Sequence, residues 1–176
     1  MVFVCAHGAG GHKDDGAMLA LDRALTAIGL EVVRFNFPYR ERGRKIPDPM
    51  PVLKSCIADV ASGRKDVIIG GRSMGGRAAS MLAADGFPCR GLLLFAYPLH
   101  PAGQPDKLRI EHLSKIEMPV LCFNGTRDAL CRRDLMEQHV PKAWNMHWLE
   151  GADHSLKGAA VLAEIGETTR RWISGL

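Results

Sequence analysis

At 176 residues, with 47% hydrophobic and 24% charged side chains, the chain has the size and composition of one globular domain that buries a substantial core. Its formal net charge of +4 comes without a dense basic block or basic–aromatic interleaving, which gives no nucleic-acid footprint. No apolar run approaches a membrane span. The five cysteines are odd in number, irregularly spaced and without a C-x-x-C, so they read as reduced thiols of a cytoplasmic protein rather than as disulfides, zinc ligands or a redox pair.

Val2–Ala6 reads as a buried strand that runs into His7-Gly8-Ala9-Gly10-Gly11. A strand beginning at Val2 is compatible with a chain that starts upstream or with a fold that begins there. A helix follows from about Gly16 to Ile28, with Met18, Leu21, Leu25 and Ile28 on one face and Gly29 as its stop. Glu31–Phe35 is the second strand. The loop Asn36–Pro51 carries four prolines and the basic run Arg40-Glu41-Arg42-Gly43-Arg44-Lys45. Leu53, Ile57 and Val60 mark a second helix that closes at Gly63. Asp66–Gly70 is strand three, and a third helix runs to about Ala84.

Gly91–Phe95 is strand four. The following Tyr97–Arg109 is polar and proline-rich, and Ile110–Ile116 is a short helix at most. Val120–Asn124 is strand five, a helix spans about Arg132–His139, and Asn145–Leu149 is strand six. Leu162, Ile165, Thr169 and Trp172 line one side of a last helix. Apolar strands alternating with amphipathic helices predict an α/β fold, a three-layer, doubly wound and mostly parallel six-stranded sheet. With no repeat, linker or low-complexity stretch, residues 1–176 form one expected domain.

Gly71-Arg72-Ser73-Met74-Gly75 fits G-x-S-x-G, the pattern of a nucleophile elbow. A serine on a tight strand-to-helix turn adopts a strained backbone, and the residues two positions either side must lack a Cβ. The stretch does not supply the G-x-x-x-x-G-K-[ST] of a P-loop. Ligands of such sheets bind beyond the carboxyl ends of the strands, and three residues fall there: Ser73 after strand three, Asp128 after strand five, His154 after strand six. A serine hydroxyl needs a histidine to take its proton, and that histidine needs a carboxylate to fix its tautomer. The glycines of His7–Gly11 let backbone N–H groups approach a developing oxyanion, with Ala9 and Met74 as the expected donors.

The chain resembles the compact α/β-hydrolases, in particular small dienelactone-hydrolase-like proteins related to the hydrolase-like subunit of a histone-acetyltransferase complex. The resembling segments are HGAGG at 7–11, FNFPYRERGRKIPDP at 35–49, GGRSMGG at 70–76, YPLHPAGQPDKLR at 97–109, GTRD at 125–128 and GADHS at 151–155. The resemblance implies strand order 2-1-3-4-5-6 and hydrolase chemistry with Ser73, Asp128 and His154 as triad. It departs from true dienelactone hydrolases, whose nucleophile is cysteine.

Competing residues have plainer readings. Asp134 is expected on a solvated helix face, Asp153 in loop chemistry beside His154, and His147 within a strand. His12, His100, His112 and His139 fall away from the base position. His7 is expected to shape the oxyanion loop. His7 and Arg72 are candidate pocket residues, as are Arg42 and Arg44 of the basic run, which would favour an anionic substrate if the loop folded over the site. Only about two dozen residues join strands four and five, so any lid is minimal.

The sequence therefore points to a serine hydrolase of carboxylesterase or thioesterase type, acting on a small or exposed acyl ester. It requires no cofactor and no metal, and its partner is a small-molecule ester or thioester rather than nucleic acid or membrane. The alternative is a catalytically silent interaction protein on the same scaffold.

Overall fold

Each strand is a run of four to six residues, and the central ones are apolar throughout because both of their faces are covered. In the computed structural model, which describes residues 1–176, they are β1 (Val2–Ala6), β2 (Glu31–Arg34), β3 (Val67–Arg72), β4 (Gly91–Phe95), β5 (Val120–Gly125) and β6 (Asn145–Leu149). All neighbours pair in parallel, in the order β2-β1-β3-β4-β5-β6. Every residue of β4 is buried, whereas the edge strand β6 buries only Leu149 fully.

Strand alternation divides the core into two layers. Val4, Ala6, Ile69, Leu92 and Leu94 face helices α3 (Met50–Ala61) and α4 (Met74–Ala84). Phe3, Cys5, Ile68, Leu93 and Phe95 face α1 (Gly16–Thr26) and α6 (Ala159–Ile173). The Asp15 carboxylate caps α1 by accepting from Met18 N–H at 2.9 Å, and Gly29 takes the left-handed conformation just beyond its end.

The loop after β2 departs from the expected structureless stretch. Pro38 opens a short helix, α2 (Pro38–Glu41), because a proline in the first turn has its φ already set and no N–H to leave unpaired. Pro51 lies inside the first turn of α3 for the same reason rather than ending the loop. Strand β2 stops at Arg34, and the chain between β4 and β5 contains only the 3₁₀ turn Leu113–Lys115 in place of a cap. The remaining helix, α5 (Arg133–His139), precedes β6. No helix is long and apolar enough to cross a membrane.

Because β1 and β3 are neighbours and their helices cover opposite faces, the loops after these two strands lie side by side at the carboxyl edge. The HGAGG loop and the elbow therefore meet.

Candidate active site

Ser73 joins β3 to α4 with φ 47° and ψ −117°, a conformation that a non-glycine residue holds only when its surroundings enforce it. The surroundings are close-fitting backbone. A Cβ on Gly71 would sit 2.1 Å from the Ala6 carbonyl oxygen, and one on Gly75 would sit 2.6 Å from the carbonyl oxygens of Ala6 and His7. Gly71 also has φ +141°, which an L side chain rarely adopts. The two glycines of the motif thus let the turn press against the end of β1. The Ser73 N–H donates to Phe95 O at 2.9 Å, pinning the turn to β4.

His154 joins Ser73 to Asp128. Its Nε2 accepts from the Ser73 hydroxyl at 2.9 Å, and its Nδ1–H donates to Asp128, 2.8 Å from Oδ2 and 3.0 Å from Oδ1. The carboxylate fixes the tautomer that leaves Nε2 bare. Asp128 is fully buried and further held by Leu130 N–H at 2.8 Å and Asn124 Nδ2–H at 3.3 Å. The loops carrying the acid and the histidine are locked together: Arg127 N–H donates to Ala152 O at 2.9 Å, and Gly151 N–H to the Thr126 hydroxyl at 2.9 Å.

Asn124 escaped the reading of the sequence. At the end of β5, buried, it accepts from Tyr97 N–H at 3.1 Å and donates to Tyr97 O and to Asp128. A polar residue closing an apolar strand four positions before the acid was the available signal. Tyr39, on α2, was also missed. Its hydroxyl donates to Ala9 O at 2.8 Å.

His7 is completely buried behind the glycine loop, which it shapes, and it does not line the cleft, which corrects its reading as a pocket residue. Its Nδ1–H donates to Gly8 O at 2.8 Å, and its Nε2 accepts from Phe37 N–H at 3.2 Å. Gly11 N–H also donates to Gly8 O, at 3.1 Å. In a trans peptide the C=O and N–H point opposite ways, so holding Gly8 O aims the Ala9 N–H in the other direction. That N–H has no backbone acceptor in the protein, and the Met74 N–H opens α4 ahead of the helix's own ladder. A Cβ on Gly8 would lie 3.5 Å from Ser73 Cβ, which measures how near the two loops come. Burial lowers the His7 pKa below the ordinary histidine value.

A cleft of about 760 Å³ opens beside Ser73 and His154, walled by the Gly8–Gly11 loop, the start of α1 and residues 155–158. Arg72 and Lys157 line it. Arg42 and Arg44 do not, which corrects their reading as candidate pocket residues. Both donate instead to Asp48, whose side chain is 6% exposed and requires cationic partners.

The competing residues are occupied elsewhere. Arg132 holds the exposed Asp134 carboxyl below the usual range, and the Ser155 hydroxyl and N–H do the same for Asp153. His147 pairs with Glu164 at 2.7 Å. Ser80 and His112 form a second hydroxyl–imidazole contact at 2.8 Å, but Ser80 is fully buried and no carboxylate meets His112. It is a polar knot within the core. No group of three or more His, Cys, Asp or Glu side chains is arranged to hold a metal.

Residues 1–172 match a family model described as an alpha/beta hydrolase domain. Among solved structures, Est1E from Butyrivibrio proteoclasticus, with ferulic acid bound, is similar with TM-score 0.77 at 16% identity, covering 99% of this chain and 88% of that one. Dienelactone hydrolase from Anabaena variabilis gives TM-score 0.75 at 19% identity, over 99% of this chain and 85% of that one. A monoacylglycerol lipase from Paleococcus ferrophilus gives TM-score 0.74 at 18% identity, over 97% and 93%. At these identities the likeness is one of fold.

Proposed function

The chain belongs to the alpha/beta hydrolase family, and from that premise we propose that residues 1–176 form one serine hydrolase domain of carboxylesterase or thioesterase type. The single observation that carries the reading is the unbroken relay Ser73–His154–Asp128, with both hydrogen bonds at 2.8–3.0 Å. A scaffold retained only for interaction has no need of that relay, of a strained serine at its end and of a glycine loop so near that a Cβ on Gly8 would lie 3.5 Å from Ser73 Cβ. The completeness of the set favours catalysis over the silent alternative.

In this reading Ser73 Oγ attacks the acyl carbon while His154 Nε2 takes its proton. The negative charge on the former carbonyl oxygen is held by the Ala9 and Met74 N–H groups. The tetrahedral species collapses by breaking the bond to the leaving oxygen or sulfur, which receives the proton from His154. Water then attacks the acyl-serine, passing its proton to His154, and the carboxylic acid leaves as Ser73 recovers its hydrogen. Asp128 stabilises the imidazolium throughout.

Neighbours named as a dienelactone hydrolase and a monoacylglycerol lipase support ester chemistry of a small molecule. All five cysteines are free, which supports a reducing, cytoplasmic setting. The test is a panel of short acyl esters and thioesters on the purified protein. Turnover abolished by Ser73→Ala is expected; activity unchanged in that variant contradicts the proposal.

A further inference from the structure

The proposed relay leaves the guanidinium of Arg72, which lines the cleft, without a task. Arg72, the residue before Ser73, is partly buried, and its guanidinium makes a single hydrogen bond, 3.3 Å to His154 O. No carboxylate lies within ion-pair distance of it. Asp15 is the negative group that acts on it most, but both Asp15 oxygens are occupied, Oδ1 by Met18 N–H and Oδ2 by His12 N–H. Elsewhere in this protein the partly buried arginine Arg34 meets two carboxylates. Burial lowers the Arg72 pKa, as expected for a cation with too few partners.

A guanidinium carries five N–H donors in a planar fork that matches a carboxylate. Four of those donors make no bond within the protein, and the side chain faces the cleft that contains Ser73 and His154. Lys157 adds a second positive charge to the same lining. The free N–H groups of Arg72 are open to the cleft and available to a ligand anion.

Resting on the hydrolase reading above, we propose that Arg72, assisted by Lys157, selects an ester or thioester that carries a carboxylate in its acyl or leaving part. Arg72 forms charge-assisted hydrogen bonds to that carboxylate, while the reacting carbonyl lies against Ser73. Anion selectivity then originates beside the nucleophile and not in the 40–45 run.

The first arm compares kcat/KM for mono-4-nitrophenyl glutarate with that for 4-nitrophenyl pentanoate. The native protein should prefer the glutarate by about tenfold or more, the size of one charge-assisted contact. Arg72→Gln should bring the ratio to about one, Arg72→Lys should restore part of it, and added salt should lower it. Equal losses on both esters in Arg72→Gln would assign Arg72 to supporting His154 alone and overturn the proposal. The second arm needs no turnover. Ser73→Ala protein should bind monomethyl glutarate more tightly than methyl pentanoate, and adding Arg72→Gln should abolish the difference. Retained selectivity in Ser73→Ala with no hydrolysis by the native protein would defeat the hydrolase reading and leave this one standing. Equal binding of the two esters would defeat this one, whatever the rate.

Discussion

The His7 Nδ1–H donates to the Gly8 carbonyl oxygen at 2.8 Å, and this bond sets the direction of the Ala9 N–H on the far side of the same peptide. Nε2 must stay bare to accept from Phe37 N–H, so the loop is ordered only while His7 is neutral. Burial lowers the folded-state pKa of His7 below its unfolded value of about 6.5. The unfolded chain therefore takes up the proton first, and this contribution to stability is present above pH 6.5 and lost as the pH falls below it. His112, also lowered by burial, adds the same sign. Thermal melts should show Tm declining below about pH 6.5, and the decline should be shallower in His7→Gln. A decline of equal slope in that variant would remove His7 from the account.

Asp128 is the only carboxylate that reaches His154. Asp128→Asn should retain the fold and lose roughly 10⁴ in kcat, because the amide no longer enforces the tautomer with a bare Nε2. Asp134→Asn, at an exposed site paired with Arg132, should leave kcat unchanged. Steady-state kinetics with circular dichroism as the folding control decides it. A loss below tenfold for Asp128→Asn would show that another group orients the histidine.

Acyl length should matter little beyond the first few carbons. The apolar residues lining the cleft are Ala9, Ala17, Ala20, Leu156 and Leu162, and three of these five are alanines. Each enclosed CH₂ is worth about 0.8 kcal/mol, roughly fourfold, and an uncapped cleft encloses few. kcat/KM for acetyl, butyryl and octanoyl 4-nitrophenyl esters should level off by butyryl. A steady climb to octanoyl would place the chain in the neighbouring hollow of about 440 Å³ between α1 and α6, which includes Ala24, Ala27 and Ile28.

Thiol reagents should leave the native protein active at neutral pH. Burial pushes the Cys5 and Cys131 thiols up to about 12 and those of Cys56 and Cys89 up to about 11, and Cys122 is raised as well. The reactive thiolate is thus scarce until the pH passes the ordinary thiol range. Iodoacetamide at pH 7.5 should modify the folded protein slowly and the urea-unfolded protein at all five cysteines, as read by mass. Rapid loss of activity tracking one cysteine would contradict this.

Much of the fold was legible because its strands are continuous apolar runs and its helices carry one apolar face. Strand order was implied by the resemblance to compact α/β-hydrolases, and it is this order that sets HGAGG beside the elbow. Ser73 and His154 were legible because glycines mark the turns that carry them. What escaped depends on contacts between distant segments. Tyr39 reaches Ala9 across 30 residues, and Asn124 matters only because Asp128 and Tyr97 converge on it. The 40–45 run misled because charge can be read from sequence and its partner cannot: Asp48 is itself in the loop and claims two of those arginines.

The central claim is that Ser73 is the nucleophile. The direct measurement is mass mapping of the folded protein after reaction with a fluorophosphonate probe, alongside the Ser73→Ala and His154→Ala variants. The account predicts one adduct per chain, on the peptide containing Ser73, absent in Ser73→Ala and strongly slowed in His154→Ala. An adduct on Ser80 or on any other residue, or no adduct on folded native protein, would contradict it.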